Sequence, residues 1–214
     1  MPGEVPRIYV LAGVNGAGKS SIGGAAFRAF GADYYNPDEA ARNLMAAHAR
    51  LSQSQANAIA WDQGRRLLEQ AIASRLDFAF ETTLGGATLT RLLAQAAVQG
   101  TELRVWYAGL STPELHIERV HARVRNGGHD IPEANIRHRY DHSRLNLIHL
   151  LPGLAALRVY DNSLDADPAS GQVPVPTLVL HMEHGKIVGP RDLSATPTWA
   201  KAIVAAALNL DSRL

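Results

Sequence analysis

The stretch Gly13-Val14-Asn15-Gly16-Ala17-Gly18-Lys19-Ser20 fits the phosphate-binding pattern G-x-x-x-x-G-K-[ST]. The apolar run Ile8-Tyr9-Val10-Leu11-Ala12 precedes it, and a helix-compatible segment, Ser21 to Phe30, follows it. Glycines permit backbone conformations that turn successive N–H groups toward a phosphate chain, and the helix adds its positive N-terminal end. This order of strand, loop and helix predicts a nucleotide phosphate site rather than a plain glycine-rich turn. The predicted nucleotide contacts are Asn15, Gly16, Ala17, Gly18, Lys19, Ser20 and Ser21, with Lys19 on the β- and γ-phosphates and Ser20 on Mg²⁺.

Composition narrows the class of protein. The 214 residues fit a single domain with a sizeable core, and 21 Lys and Arg against 20 Asp and Glu leave a net charge of +1. A balance this close to zero argues against a protein that mainly coats nucleic acid or an anionic membrane. The absence of cysteine excludes disulfides, thiolate zinc sites and a cysteine nucleophile. With neither a basic signal-peptide head nor an apolar stretch of membrane-spanning length, we expect a soluble, cytoplasmic protein without a membrane partner.

Two carboxylates follow short strand-like segments. Asp38 comes after residues 33–36 and Pro37, whose fixed φ suits the first turn of a helix. Glu81, with Thr82 and Thr83 behind it, ends the apolar run 77–80. In a parallel sheet these residues share the edge of the phosphate loop, where carboxylates can hold magnesium through water or accept a substrate hydroxyl. Purely structural roles remain open, as a helix cap for Asp38 and as an acceptor of backbone N–H groups for Glu81.

Two arginine-rich helices are predicted on either side of a glycine-containing turn. The first begins after Ser111-Thr112-Pro113-Glu114 and carries Arg119 and Arg123, which share a face because they are four residues apart. The turn 126–133 contains His129, and the second helix carries Arg137, Arg139 and Arg144. We predict that residues 112–150 form a lid over the transferred phosphate, with His129 and Arg137 as substrate contacts. Solvated helix faces are the alternative.

The remaining elements complete an alternating pattern. The strand predicted over 155–160 ends at Asp161-Asn162-Ser163, where Asn162 is a candidate nucleotide contact or part of an Asx turn. A hairpin is predicted over 177–188 and a closing helix over 199–210, both expected at an edge of the sheet. The pair His138 and His142 lacks the glutamate of a zinc protease helix. Alternation of strands and helices predicts one three-layer α/β/α domain over 1–214, of the P-loop NTPase type, with a mostly parallel sheet and a helical lid.

The motifs favour phosphoryl transfer to a hydroxyl over other phosphate-loop functions. The chain shows neither the Asp-Glu strand end of motor and transporter ATPases nor a guanine-reading Asn-Lys-x-Asp. Single carboxylates at two strand ends and paired arginines in a lid instead suit a reaction in which a base orients an acceptor and cations spread transition-state charge.

Seven segments together resemble the zeta toxin family, in its small stand-alone branch, over about residues 7–163. They occur in this order: the loop 13–20, Asn36-Pro37-Asp38, Phe80-Glu81-Thr82-Thr83-Leu84, Arg119-Val120 with Arg123-Val124, Gly127-Gly128-His129-Asp130-Ile131-Pro132, Arg137-His138-Arg139-Tyr140 and Tyr160-Asp161-Asn162-Ser163. The resemblance implies a kinase-like fold that uses ATP and Mg²⁺. The best-known members of the family phosphorylate UDP-N-acetylglucosamine and are held inactive by an antitoxin, so a small-molecule hydroxyl, such as that of a nucleotide-sugar, and an antitoxin are the expected partners.

The resemblance also implies roles for individual residues. It makes Lys19 and Ser20 the phosphate and magnesium ligands, Asp38 the base facing the acceptor hydroxyl, and Glu81 the acid that orients the acceptor. Arg119 and Arg123 fall in the region where the family binds the γ-phosphate.

Two alternatives remain at this point. A nucleic-acid 5′-hydroxyl kinase also pairs a phosphate loop with an aspartate, although the near-zero net charge makes nucleic acid an unlikely partner. A nucleotide-dependent switch would hydrolyse ATP slowly and act through a protein partner.

Overall fold

A seven-stranded sheet forms the centre of the molecule. The computed structural model describes residues 4–19, 22–23, 34–164 and 175–213. The strands are β1 (Arg7–Ala12), β2 (Tyr34–Tyr35), β3 (Phe78–Thr82), β4 (Glu102–Gly109), β5 (Leu154–Asp161), β6 (Thr177–Glu183) and β7 (Lys186–Gly189). Their order in the sheet is β2-β3-β1-β4-β5-β6-β7. The strands β1 to β5 run parallel, whereas the hairpin β6–β7 is antiparallel and extends the sheet by pairing with β5.

The strand order places the carboxyl end of β1 between two neighbours. β3 pairs with one side of β1, with Ala12 opposite Thr82, and β4 pairs with the other side, with Ala12 opposite Tyr107. Strand order reverses at β1, and ligands of open α/β sheets bind at such a switch point. The loop that follows β1 therefore lies beside the end of β3, which carries Glu81. The expected α/β fold with a mostly parallel sheet is confirmed.

Six α-helices lie within the described residues. They are α1 (Pro37–Ala47), α2 (Gln53–Ala73), α3 (Ala87–Val98), α4 (Pro113–Arg125), α5 (Glu133–Leu150) and α6 (Lys201–Asp211), with 3-10 turns at Leu151–Gly153 and Thr198–Ala200. Local capping sets several boundaries: Ser52 and Gln55 form a capping box before α2, and the Thr112 hydroxyl accepts the N–H of Leu115 before α4. The helix predicted over Ser21–Phe30 lies almost wholly outside the described residues.

The main core lies on the sheet face that Ile8, Val10 and Ala12 share. Residues of α2, α3, α5 and α6 join these side chains in one buried cluster, which includes Leu68, Leu93, Leu147 and Ile203. Each large aliphatic side chain buried in this way contributes roughly 1.5–3 kcal/mol to folding. The second half of α5 is thus anchored in the core through Leu147, so any closure of the predicted lid would involve α4, the turn after it and the first half of α5. Lid closure stays a prediction.

None of the helices in the described ranges combines the length and apolar composition needed to cross a membrane.

Candidate active site

The loop after β1 has the backbone shape of a phosphate cradle. Gly13 and Gly16 have φ angles of 142° and 82°, which side chains disfavour. A Cβ atom on Gly13 would lie 2.3 Å from the Ala108 carbonyl oxygen, and one on Gly16 would lie 2.6 Å from the His116 carbonyl oxygen. The loop therefore passes so close to β4 and α4 that only glycine fits at these two positions.

Side chains from elements that are distant in the sequence form hydrogen bonds with this loop. The Asn162 side-chain amide, at the end of β5, donates to the Ala17 carbonyl over 3.0 Å. The His116 ring, on α4, places Nδ1 at 2.8 Å from the Asn15 carbonyl oxygen. The Arg139 guanidinium, on α5, donates to the Asn15 side chain over 2.7 Å. These contacts fix the loop before any ligand is bound.

Lys19 and Glu81 form a buried pair beside the loop. Lys19 is 9% exposed; its ammonium donates to the Gly13 carbonyl over 2.8 Å and lies 3.4 Å from a Glu81 carboxylate oxygen. The other Glu81 oxygen accepts from the Tyr34 hydroxyl at 2.9 Å and from the Asn36 side chain at 3.3 Å. Among the described residues, Glu81 therefore binds side chains rather than backbone N–H groups, and these contacts orient its carboxylate.

Asp38 lies in the first turn of α1 but does not cap that helix. The cap is Asn36, whose side-chain oxygen accepts the N–H groups of Asp38 and Glu39. The Asp38 carboxylate instead lies 3.8 Å from the Arg123 guanidinium and 3.7 Å from His129 Nε2. Both distances exceed a hydrogen bond, so neither of these side chains occupies the acceptor positions of the carboxylate oxygens.

Two buried nitrogen atoms of the residues next to Asp38 lack a hydrogen-bond partner among the described residues. Within the described part of the chain, Arg123 Nε and His129 Nε2 make no hydrogen bond. Burial lowers the pKa of the His129 imidazole, which favours its neutral form. A buried polar atom without a hydrogen bond costs folding free energy. Unsatisfied atoms of this kind occur where a ligand binds.

A cavity of about 330 Å³ connects these groups. Of the residues predicted from the sequence, six line it: Asn15, Asp38, Glu81, Thr82, Thr83 and His129. Asn15 of the phosphate loop and the two carboxylates thus line one concave site, whose size is at the lower end of the range for small-molecule sites. Lys19 is not among the lining residues and reaches this site through Glu81, 3.4 Å away.

Other predicted residues lie elsewhere. Arg137 is exposed and pairs with Glu114 at 2.6 Å, and Arg119 donates to the Leu164 carbonyl over 3.2 Å; neither lines the cavity. Arg123 stands at the edge, between Asp38 and the His129 carbonyl, to which it donates over 3.1 Å. Ser20 and Ser21 lie outside the described residues.

Sequence reasoning missed several residues of the site. Arg139 lines the cavity although Arg137 was the predicted contact, and Tyr34 and Asn36 orient Glu81. The two arginines are two positions apart, so they fall on different sides of a helix. The sequence pattern carried no signal for which side faces the loop.

His116 provides a pH-dependent test of how the loop is supported. Its residue is 1% exposed, and burial lowers its pKa to about 4, so the neutral ring donates its Nδ1 proton to the Asn15 carbonyl. The unfolded chain binds this proton near pH 6.5, whereas the folded chain does not until about pH 4. We therefore expect this group to lower the free energy of unfolding by about 3 kcal/mol as the pH falls from 7 to 4.

Denaturant unfolding at several pH values measures this effect. His116→Asn removes the titration but keeps an N–H donor, so its unfolding free energy should fall less steeply over the same window. Equal pH dependence in both proteins would contradict the assignment.

Comparisons with known proteins identify the family and the fold. Residues 1–162 match the sequence model of the family described as Zeta toxin. An uncharacterized protein of Haemophilus influenzae is 30% identical over 135 residues, which make up 60% of this chain and 88% of that protein.

Solved structures share the fold at low sequence identity. A chain of the AvrRxo1-ORF1:AvrRxo1-ORF2 complex, solved with ATP, superposes with a TM-score of 0.65 and 14% identity over 96% of this chain, which spans 64% of that chain. A chain from the PezAT toxin–antitoxin system of Streptococcus pneumoniae gives a TM-score of 0.56 and 16% identity, over 76% of this chain and 70% of that chain. The family match covers most of the sequence, and the chain therefore belongs to the zeta toxin family.

Proposed function

We propose that this protein is an ATP- and magnesium-dependent phosphotransferase that moves the γ-phosphate to a hydroxyl of a small molecule. The observation that carries the proposal is that one cavity is lined by Asn15 of the phosphate loop, by Asp38 and by Glu81, the ion-pair partner of Lys19. Family membership supports a kinase, and the structural neighbour solved with ATP supports ATP as the phosphate donor.

The loop residues fit a nucleotide triphosphate. Positive-φ glycines turn the backbone, and Lys19 is held against the loop by the Gly13 carbonyl, so a cation is already in place for the phosphates. Magnesium would supply charge neutralisation on these phosphates. Glu81 offers the oxygen chemistry that this ion prefers, and Ser20 is the second proposed ligand on the basis of the motif.

Asp38 is the proposed base. It would accept the proton of the acceptor hydroxyl, whose oxygen forms a bond to the γ-phosphorus while the bond to the bridging oxygen breaks and ADP leaves. Arg123 lies 3.8 Å from Asp38 and has a buried Nε in need of a partner, which suits it to the transferred phosphate. His129 and Arg139 also line the cavity.

Formation of ADP by the purified protein tests the proposal. With ATP and magnesium present, ADP should form only when an acceptor is added from a panel of nucleotide-sugars, sugars, nucleosides and oligonucleotides. Nucleotide-sugars belong in the panel because the family resemblance suggests them. Slow ADP formation that no acceptor accelerates would overturn the proposal in favour of an ATPase that acts through a partner.

Arg123 and Arg137 form a matched pair on neighbouring helices. Arg123→Ala should lower the rate of acceptor phosphorylation roughly 10²-fold, because it removes a cation next to the transferred group. Arg137→Ala should leave the rate within about twofold, since Arg137 forms an exposed ion pair with Glu114. Equal losses in the two variants would show that the arginines act through the fold and not through the reaction.

A protein that inhibits this activity is proposed on family grounds. PezAT is a toxin–antitoxin system, and an antitoxin would be the corresponding partner of this chain.

A further inference from the structure

The loop between β3 and α3, residues 83–86, forms part of the cavity wall. Thr83, Gly85 and Gly86 line the cavity, and they closely follow Glu81 in the chain. Leu84, within the same loop, is 1% exposed and has a φ angle of 52°. A bulky residue rarely adopts this left-handed conformation, which persists only where surrounding contacts hold it. The shape of the wall therefore depends on contacts from outside the loop.

Helix α5 supplies two of these contacts. The Ser143 hydroxyl donates to the Thr83 carbonyl over 2.7 Å. The Asn146 side-chain amide donates to the Leu84 carbonyl over 2.8 Å. Because the C=O and N–H of a trans peptide point in opposite directions, a bond to the carbonyl sets the orientation of the whole peptide unit. Helix α5 thus orients two successive peptide units of the wall, before and after Leu84.

Ser143 is a polar residue at a fully buried position of α5. It is 0% exposed, and its hydroxyl accepts from the Tyr107 hydroxyl over 3.0 Å while it donates to Thr83. A buried hydroxyl is costly unless it is hydrogen-bonded. The other buried residues of α5 are apolar, namely Ile136, Leu147 and Leu150. Ser143 therefore gives the loop a directed contact that an apolar residue at this position could not give.

The same side of α5 also reaches the phosphate loop. Arg139, Ser143 and Asn146 are four and then three positions apart, so they lie on one face of the helix. The Arg139 guanidinium donates to the Asn15 side chain. The Arg139 side chain also packs against the 83–86 loop, since a Cβ atom on Gly85 would lie 2.6 Å from Arg139 Cγ. One helix face therefore contacts both loops that line the cavity.

We propose that Ser143 and Asn146 are positioning residues for the acceptor: they hold the 83–86 loop, and thereby fix the wall against which the acceptor lies. The inference rests on the proposed function, which places the acceptor in this cavity beside Asp38. Neither Ser143 nor Asn146 is among the described residues that line the cavity, so their effect must pass through the loop. A shifted wall would displace the acceptor hydroxyl, and an error of about 1 Å can cost about 10²-fold in rate.

Amide hydrogen exchange tests the loop without any ligand. In Ser143→Ala, the amides of residues 84–87 should exchange at least about tenfold faster than in the wild-type protein, because a peptide unit that has lost its hydrogen bond opens more often. Tyr107→Phe is the matched control. It removes the other hydrogen bond of Ser143 but leaves the bond to Thr83 in place. Exchange of residues 84–87 should therefore stay within about twofold of wild type in this control.

Asn146→Ala is the milder variant. Asn146 is half-buried, so its replacement tests the same loop should Ser143→Ala fail to fold. Asn135→Ala is its control, because it makes the same substitution at an exposed position in the first turn of α5. Exchange of residues 84–87 should rise in Asn146→Ala and remain unchanged in Asn135→Ala.

Steady-state kinetics test the consequence for the acceptor. The acceptors are UDP-N-acetylglucosamine, which the family resemblance suggests, and any other compound of the panel that yields ADP. Ser143→Ala and Asn146→Ala should lower kcat/KM for the acceptor by about 10- to 100-fold. The KM for ATP should stay within about twofold, since the phosphate loop keeps its contacts with Asn162, His116 and Arg139. Both control variants should keep wild-type values.

These readouts separate the inference from the proposed function. If the loop exchanges faster in Ser143→Ala but no acceptor yields ADP, the kinase proposal fails and the positioning of the loop by α5 stands. If ADP forms but Ser143→Ala matches Tyr107→Phe in exchange and in acceptor kcat/KM, the inference fails while phosphotransfer stands. Faster exchange with unchanged acceptor kinetics also overturns the inference. So does an equal rise in KM for ATP and acceptor, because α5 would then act on the whole site.

Discussion

Replacing Asp38 with asparagine should lower kcat for acceptor phosphorylation by about 10²- to 10⁴-fold, the usual contribution of a general base. Asparagine keeps the size of the side chain but cannot take the acceptor proton. Helix α1 should still form, because its cap is Asn36 and not Asp38. ATP affinity should change little, since the phosphate loop is held by Asn162, His116 and Arg139. Steady-state ADP formation and ATP binding, measured on the same preparation, give both quantities.

Glu39→Gln is the matched control for this experiment. Glu39 lies in the same first turn of α1, is exposed and does not line the cavity, so its loss should leave kcat within about twofold. If Asp38→Asn retains wild-type kcat while its acceptor is saturating, Asp38 is not the base. If both variants lose activity together, the effect comes from the charge at the helix start and not from proton transfer.

The phosphate loop could be predicted from the sequence because its determinants are local. Gly13, Gly16 and Lys19 act through their own backbone conformation and their position after an apolar strand. The starts of α2 and α4 could be predicted for the same reason, because their capping residues are adjacent to them in the sequence. The edge position of Asp38 and Glu81 followed from one further rule, that parallel strands end on the same side of a sheet.

The remaining contacts of the site depend on how distant segments pack. Arg139 reaches Asn15 across 124 residues, and Tyr34 reaches Glu81 across 47. Helical periodicity places Arg137 and Arg139 on different sides of α5, but the choice of side is made by the core residues of that helix. Trp61 illustrates the same limit, since it lines the cavity together with residues of distant segments and no prediction was made for it from the sequence.

Removal of the Lys19 side chain should also strongly reduce the rate of phosphotransfer. Lys19→Ala should reduce ADP formation by at least about 10³-fold, because the cation that compensates the β- and γ-phosphates during transfer is lost. The fold should survive: the Glu81 carboxylate keeps the Tyr34 hydroxyl and the Asn36 amide as donors. ADP assays with saturating acceptor measure the loss, and thermal unfolding reports on the fold.

The control for Lys19→Ala is Lys186, which does not line the cavity. Lys186 is half exposed in the β6–β7 hairpin and pairs with Asp211, so Lys186→Ala should retain full activity. Lys19→Arg separates charge from geometry: it keeps a cation, but the planar guanidinium cannot reproduce the compact ammonium donor between the Gly13 carbonyl and Glu81. We therefore expect Lys19→Arg to recover little of the rate. Recovery to within tenfold of wild type would mean that positive charge alone, and not its placement by the loop, accounts for the contribution of this residue.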